Sequence, residues 1–357
     1  MTYFLGHRAE WHLFANFFLA LTISFPLCAQ TTLDLDEFNA AYFQYGEMKQ
    51  ANPEVAKEAA RRAYELGKEL FGAESERSAM LAINYATMLE NESDTRIYLD
   101  EAVTTYQSIF GFGSEEMIDP LMRLGRALGD QSQWDLSEEY YNRALELSRL
   151  HLGLGSDKVG VIELELGALK LRVGALDRAW AHLQEAKKVL SAHTDLASRS
   201  GLNRANLLIG EYHLARQDFR RAISPLLTSL KEFNRYPSAD ITVRNHIALI
   251  KAYENLQESE RATPHCLAIG STRRLVVDEN LRPVFKVPLH DINLENTIRV
   301  NFTVNAEGYV TDPHIFSDIE DEALRKTVTN TILSFRFAPR FVEGNFVDSP
   351  DQYYDFR

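Results

Sequence analysis

The stretch Gly125–Ala144 (GRALGDQSQWDLSEEYYNRA) recurs twice along the chain, as GALKLRVGALDRAWAHLQEA at 167–186 and as GEYHLARQDFRRAISPLLTS at 210–229. The three copies share a glycine at the first position, a large apolar residue at the seventeenth, and a small residue at the thirteenth and twentieth. Small side chains at fixed helical offsets let two helices approach closely. Self-similarity with a period of about forty residues is typical of a helical solenoid.

The small residue at the thirteenth position continues beyond these copies. It recurs at intervals of 39, 42, 42, 43 and 40 residues, at Ala56, Thr95, Ser137, Ala179, Ala222 and Ala262. A second small residue follows seven positions after the first five of these, at Ala63, Ala102, Ala144, Ala186 and Ser229. Between them, apolar residues recur near every 3.6 positions, as in amphipathic helices. The sequence thus predicts six pairs of an A helix and a B helix, near residues 36–72, 78–112, 119–153, 160–193, 201–236 and 242–271.

Beyond about residue 276 the period changes from that of a helix to that of a strand. Apolar and polar residues alternate over 298–304, and the turn sequence NAEG follows at 305–308. The other predicted elements are a strand over 309–316, a helix over 320–334 and extended segments over 335–341 and 353–356. The predicted fold is an all-α solenoid at 30–275 followed by a small α+β domain at 276–357.

The N-terminal run 13–27 (LFANFFLALTISFPL) is apolar except for three polar residues, and Arg8 precedes it. A short apolar run that ends near a small residue is typical of a secretory signal, which predicts a signal peptide over 1–29 with cleavage after Ala29. The run is shorter than the ~20 residues of a membrane-spanning helix. Because Glu10 offsets the charge of Arg8, an uncleaved anchor is the alternative.

The two cysteines indicate the cellular compartment of the protein. Cys28 is preceded by the bulky Leu27, which argues against a lipid-modified cysteine at that position. Removal of the signal leaves only Cys266, which cannot form an internal disulfide and lies at an apolar position of the last helix pair. Secretion without disulfides favours a bacterial periplasm as the location. Contact with a membrane is then expected only if the N-terminal segment is retained.

Charge and motifs exclude several classes of function. The formal net charge of −13, from 38 Lys and Arg against 51 Asp and Glu, argues against a nucleic-acid partner. The sequence has no His-Glu-x-x-His, Gly-x-Ser-x-Gly, phosphate-loop or Cys-x-x-Cys motif. The acidic run 318–322 (DIEDE) suits the first turn of a helix better than a metal site. We therefore expect no enzyme activity, no cofactor and no metal.

The helix-pair region resembles the tetratricopeptide repeat. That family has a Gly or Ala midway along helix A, and two small residues in helix B with a large apolar one between them. The matching residues here are Gly125, Ser137, Tyr141 and Ala144, then Gly167, Ala179, Leu183 and Ala186, then Gly210, Ala222, Leu226 and Ser229. The resemblance covers about two thirds of the chain. It implies a scaffold for binding proteins without naming the ligand.

The C-terminal domain resembles the C-terminal domain of TonB. The residues that carry the resemblance are Phe302-Thr303-Val304, Gly308, Val310, Ala323-Leu324, Phe337-Ala338-Pro339, Gly344 and Phe356. Members of this family capture an extended peptide of an outer-membrane receptor as an added strand at a sheet edge. The resemblance implies that the edge here is 335–341 or 353–356. The partner-binding residues we select are Phe335, Arg336, Phe337, Ala338, Pro339, Arg340 and Phe341.

The chain departs from TonB in two respects. TonB has a Ser-x-x-x-His pair in an uncleaved N-terminal helix, whereas Ser24 here has no His four residues on. TonB also has a long Pro-rich spacer, and here the solenoid occupies that place, with only 11 prolines in 357 residues. Coupling to a proton-driven motor therefore stays an open question.

The concave face of such a solenoid is built mainly from A helices. The polar residues that we expect to line it are Asn84, Arg123, Arg126, Glu163, Lys170, Asn206 and His213. The leading functional hypothesis is a periplasmic adaptor or transducer in TonB-dependent transport, with an outer-membrane receptor or another envelope protein as partner. The alternative hypothesis is a structural scaffold for envelope assembly whose small domain no longer binds receptors.

Overall fold

The computed structural model describes residues 27–89, 92–272, 280–289, 297–316 and 321–357. The predicted signal segment lies outside the described residues except for its last three positions. Residues 318–320 of the acidic run also lie outside them.

Twelve helices form six consecutive pairs in the described part of the chain, which confirms the predicted helical solenoid. The A helices are α1 (Leu27–Ala51), α3 (Glu76–Ala86), α5 (Ile118–Asp130), α7 (Asp157–Arg172), α9 (Leu196–Ala215) and α11 (Asp240–Asn255). The B helices are α2 (Pro53–Phe71), α4 (Glu92–Phe110), α6 (Trp134–His151), α8 (Leu176–Ser191), α10 (Phe219–Phe233) and α12 (Ser259–Thr272).

The ladder of small residues forms the contact between the two helices of each pair. All six residues that recur from Ala56 to Ala262 are at most 1% exposed. A β-carbon added at Gly167 would lie 2.7 Å from Leu183, and one at Gly210 would lie 2.4 Å from Leu226. The sequence pattern thus reports the close approach of helix A to helix B.

Caps at helix ends repeat from pair to pair as well. Ser75, Ser156 and Asp195 precede A helices, and their side chains accept hydrogen bonds from backbone N–H groups of the first turn. Gly111 and Gly153 follow B helices with positive φ of 82° and 84°, a conformation that glycine adopts at little cost.

Helices A and B of a pair are antiparallel, as in α7 and α8, where Gly160 lies against Leu190 and Gly167 against Leu183. The loops from each B helix to the next A helix therefore lie at one edge of the solenoid.

The C-terminal region forms the predicted α+β fold. Its elements are β1 (Pro283–Phe285), β2 (Ile298–Val304), β3 (Val310–Ile315), α13 (Glu322–Leu333), β4 (Arg336–Phe337), β5 (Arg340–Val342), β6 (Asn345–Val347) and β7 (Ser349–Phe356). An antiparallel sheet has the order β3-β2-β7, β1 pairs with β4, and β5 and β6 form a hairpin. Val300, Phe302, Val328, Ile332 and Phe337 belong to its core.

Within the residues that the structure describes, no helix combines the length and the apolarity needed to span a membrane.

The turn at 305–308 contains Gly308 with φ of 85°, as its predicted role in a turn requires. A β-carbon there would lie 2.2 Å from the Phe337 carbonyl oxygen, so glycine also allows β4 to approach.

Candidate functional site

An ion-pair chain joins three A helices on one face of the solenoid. Glu165 of α7 accepts hydrogen bonds from Arg126 of α5 at 3.0 Å and from both terminal nitrogens of Arg204 of α9 at 2.8 and 2.9 Å. Burial opposes ionisation of the Glu165 carboxylate, but Arg204 and Arg126 outweigh it and hold its pKa below its usual range. The carboxylate is therefore ionised and fixes the spacing of the two arginines.

A groove runs along this face beside the ion-pair chain. It comprises a cavity of about 170 Å³ between α5, α6, α7 and α9 and one of about 130 Å³ between α1, α3 and α5, and the two share Arg126 and Asp130. Its charged lining consists of Lys49, Arg123, Arg126, Arg172 and Arg204 against Asp130 and Glu165. The groove lining has a net charge of +3, from five cations and two anions, although the whole chain has −13.

The expected groove residues divide into two sets. Asn84, Arg123 and Arg126 lie in the groove. Glu163, Lys170 and Asn206 are buried, so the expectation that they line the groove is wrong. His213 is 13% exposed and its ring lies against Trp180 and Tyr212, so it packs between helices instead.

Buried charges that were expected in the groove hold helices together instead. Glu163 is bound by Arg149 at 2.6 Å and by Nδ1 of His182 at 2.7 Å, both from B helices. Lys170 donates to Glu138 beside a cleft of about 630 Å³ at the turns between helices A and B. These charges are neutralised within the solenoid.

The selected partner-binding segment is largely internal. Phe335, Arg336, Phe337 and Ala338 are at most 1% exposed, and Pro339 is also buried. The expectation of an unpaired edge is wrong for β4, because Arg336 lies between β1 and a bridge to Tyr309, and the Phe337 N–H donates to the Gly308 carbonyl at 2.9 Å. Arg340 and Phe341 are half-buried and lie in β5, which pairs with β6.

Arg336 ties the small domain to the last helix pair. Its guanidinium donates to the Glu254 carboxylate of α11, to the Thr263 hydroxyl of α12 at 2.9 Å and to the Ser259 carbonyl at 3.2 Å. From the small domain, the Tyr309 ring lies 3.7 Å away. A buried arginine with this many partners is an internal structural link rather than a free recognition group.

The main chain takes part in the same interface. Pro339 follows β4, and a β-carbon at Gly270 of α12 would lie 2.4 Å from its carbonyl oxygen. Ala338 belongs to the apolar cluster formed by α10, α11 and α12. The small domain therefore packs directly on the last helix pair, using residues that the sequence suggested for a partner.

The alternative edge, 353–356, lies in an outer strand of the three-stranded sheet. Its strand β7 pairs with β2 on one side only. On the outer side, the Asn280 side chain donates to the Tyr353 carbonyl at 2.8 Å and accepts from the Tyr353 N–H at 2.9 Å. Asp355 binds Arg299 through two hydrogen bonds of 2.8 Å. Beyond Tyr353, the outer side of β7 is the sheet edge.

The described ranges contain no cluster of metal ligands, and the Cys266 thiol is not exposed. Within them, no three or more His, Cys, Asp or Glu side chains are placed to hold a metal ion. Cys266 is fully buried, and burial raises the pKa of its thiol to about 11. Its environment is that of a core residue.

Comparisons with known proteins add little to this geometry. No protein-family model matches the sequence, and a search of curated proteins finds no relative. Among solved structures, BtubC (BKLC) from P. vanneervenii aligns with 69% of this chain and 99% of its own, at 15% identity and a TM-score of 0.45. The apo form of RapI aligns with 67% of this chain and 65% of its own, at 13% identity and a TM-score of 0.46. The description of the fold therefore depends on the helix packing of this structure alone.

Proposed function

We propose that this protein is a non-enzymatic adaptor of the bacterial periplasm that binds protein partners through its concave groove. The observation that carries the proposal is the net positive groove on a strongly acidic molecule. Five cations held along stacked A helices favour an extended segment rich in Asp and Glu, or one that ends in a carboxylate. An adaptor of this kind needs no catalytic group.

A charge-reversal variant tests the groove. Lys49, Arg123 and Arg172 are exposed, and Lys49→Glu with Arg123→Glu and Arg172→Glu changes the lining from net +3 to about −3. The matched control reverses three exposed cations on other faces, Arg178→Glu, Lys187→Glu and Lys326→Glu. An envelope protein that the wild type and the control capture, but the groove variant does not, supports the proposal. Equal capture by both variants rejects it.

The proposal extends to the kind of protein that binds. The resemblance of the small domain to TonB favours a role in TonB-dependent transport, with an outer-membrane receptor peptide added as a strand. Because 335–341 is used internally, the edge of β7 is the segment that supports this role. Tyr353 directs its backbone groups outward, so by the two-residue alternation of a strand Asp355 does as well.

Proline at the outer position tests strand addition. Both Asp355→Pro and Asp355→Ala lose the ion pair with Arg299. Only Asp355→Pro also removes the outward backbone N–H, so Asp355→Ala is the matched control. The probe is a synthetic peptide of a receptor's N-terminal box, titrated into the full chain. At least tenfold weaker binding for Asp355→Pro than for Asp355→Ala supports strand addition. Equal binding by the two variants excludes this edge.

The second candidate function is a structural scaffold for envelope assembly. The observation that favours it is the burial of Arg336 and its neighbours against α11 and α12, which makes the small domain a terminal cap of the solenoid. In that case the receptor peptide fails to bind wild type, while the groove still captures its partner.

A further inference from the structure

Large apolar side chains are exposed along the edge formed by the loops that join each B helix to the next A helix. Within the described residues, eight large apolar side chains are at least 60% exposed, and five of them lie on this edge. We call these five the apolar edge: Phe112, Leu150, Leu154, Leu196 and Tyr236. Scattered exposed apolar residues are ordinary, but a concentration on one side of a molecule marks an interaction surface.

Three of the five recur at the interval of the repeat. Phe112, Leu154 and Leu196 follow each other at intervals of 42 residues, and they are 62%, 70% and 74% exposed. These three are the apolar tips of the edge: Phe112 and Leu154 lie two residues before the N-cap residues Ser114 and Ser156, and Leu196 is the first residue of α9.

Hydrogen bonds between neighbouring loops hold the tips in place. Nε2 of His151 donates to the Gly113 carbonyl at 2.8 Å, and Nε2 of His193 donates to the Gly155 carbonyl at 2.8 Å. Both donors and both acceptors are again 42 residues apart. The loop edge is thus a repeated construction in which each loop is tied to the one before it.

Two ion pairs lie beside the apolar edge. Lys158 is 2.7 Å from Asp119, and Arg143 is 2.6 Å from Glu146 while its guanidinium covers one side of the Phe112 ring. Side chains that project from loop tips, rather than line a hollow, suit a deformable apolar phase.

The chain enters the solenoid from this same edge. Phe38 of α1 lies against Phe71, the last residue of α2, with ring centroids 5.1 Å apart. Eleven residues of α1 precede Phe38, so the helix starts roughly 16 Å beyond the end of α2 at 1.5 Å per residue. In the sequence, the apolar run 13–27 comes just before this point, and its retention as the uncleaved anchor would attach the chain to a membrane here.

We infer that the apolar edge rests on a lipid bilayer, with Phe112, Leu154 and Leu196 inserted among the acyl chains near the headgroups. The tips at the repeat interval and the entry of the chain on the same side both point to this orientation. Shallow insertion of several apolar side chains is the binding mode of proteins that lie on a membrane rather than span it. The groove, on the A-helix face, stays free for a protein partner.

Flotation of the full chain with vesicles of phosphatidylethanolamine and phosphatidylglycerol at 3:1 tests this inference. The edge variant carries Phe112→Ser, Leu154→Ser and Leu196→Ser. The control carries Phe43→Ser, Ile97→Ser and Phe316→Ser, which are similarly exposed on other surfaces. We expect the partition coefficient to fall at least tenfold for the edge variant and to stay near wild type for the control. Both variants retain residues 13–27, so a difference between them reports the edge.

A depth measurement covers the case in which residues 13–27 dominate flotation. Leu154→Trp and Phe316→Trp are bound to vesicles that contain brominated lipid. We expect the fluorescence of Leu154→Trp to be quenched beyond the background of the native tryptophans, and that of Phe316→Trp not to be. Equal quenching in the two variants overturns the inference. So does a particle mass in lipid-free buffer that halves in the edge variant, because the edge then joins two copies of the chain.

Discussion

At the scale of single residues, Arg336 is the side chain whose loss is expected to cost most. Arg336→Ala leaves the Glu254 carboxylate buried, 7% exposed, without its partner. Breaking a buried pair in this way costs about 3–5 kcal/mol of unfolding free energy. Arg143→Ala, which breaks an exposed pair with Glu146, should cost at most about 1 kcal/mol. Urea unfolding of both variants measures the difference, and equal losses would contradict the internal role of Arg336.

Close helix contact predicts a second residue-scale effect. Gly167→Ala places a methyl group 2.7 Å from Leu183, so we expect a loss of about 1–3 kcal/mol. Gly46 lies within α1, and nothing surrounds the position of its absent β-carbon within 4 Å. Gly46→Ala should therefore stabilise the protein by about 0.5–1 kcal/mol. If Gly167→Ala unfolds at the same urea concentration as wild type, the small residues are not required for packing.

At the scale of elements, the sequence reveals contacts that one repeat makes with itself or its neighbour. The ladder from Ala56 to Ala262 predicts the helix pairs because a small side chain at a fixed offset is itself the contact. The chain of Arg126, Glu165 and Arg204 has equal intervals of 39 residues, so it could have been found in the same way. Glu163, two positions earlier, faces the B helices because two residues turn a helix by about 200°.

The sequence does not reveal pairings between short, distant segments. β1 has three residues and β4 has two, which are too few to show the alternation of a strand. The residues that pair between them, such as Pro283 and Phe337, are also far apart in the sequence. The apolar run around Phe335 therefore predicts an edge strand as readily as an internal one. Only its packing on α11 and α12 decides between them.

The α11–α12 pair also has an expected pH dependence. His246 and His265 face each other with Nδ1 atoms 2.9 Å apart, and Tyr253 and Arg261 lie beside His265. Burial, then the charges of His246 and Arg261, lower the pKa of His265 to about 4. The unfolded chain takes up this proton near pH 6.5, so stability from this group is complete above pH 6.5 and falls as the pH drops toward 4.

Substitution of His265 isolates that contribution. We expect wild type to lose roughly 1–3 kcal/mol of unfolding free energy from this group between pH 7 and pH 4.5. His265→Gln has no such proton to bind, so its loss over the same interval should be smaller by that amount. Parallel pH profiles for the two proteins would show that His265 is protonated equally in the folded and unfolded states.

At the scale of the whole molecule, the docked small domain and the last helix pair should behave as one cooperative unit. Gly270→Val forces α12 away from the Pro339 carbonyl, since even a β-carbon would lie 2.4 Å from it. Gly113→Val is the control, because nothing lies within 4 Å of its β-carbon position and its φ is not positive. We expect Gly270→Val to accelerate amide hydrogen exchange in α12 and in β4–β6 together, and to leave α5–α8 unchanged.

The extent of that acceleration distinguishes a cap from a tethered domain. A solenoid that ends in an uncapped helix pair exposes the apolar side of its last helix, here lined by Cys266 and Ile269. Undocking should therefore spread exchange into α11, whose Glu254 loses Arg336 at the same time. If only β4–β6 exchange faster while α11 and α12 keep their protection, the small domain is tethered rather than structural. Its segment 335–341 would then be free to meet a partner.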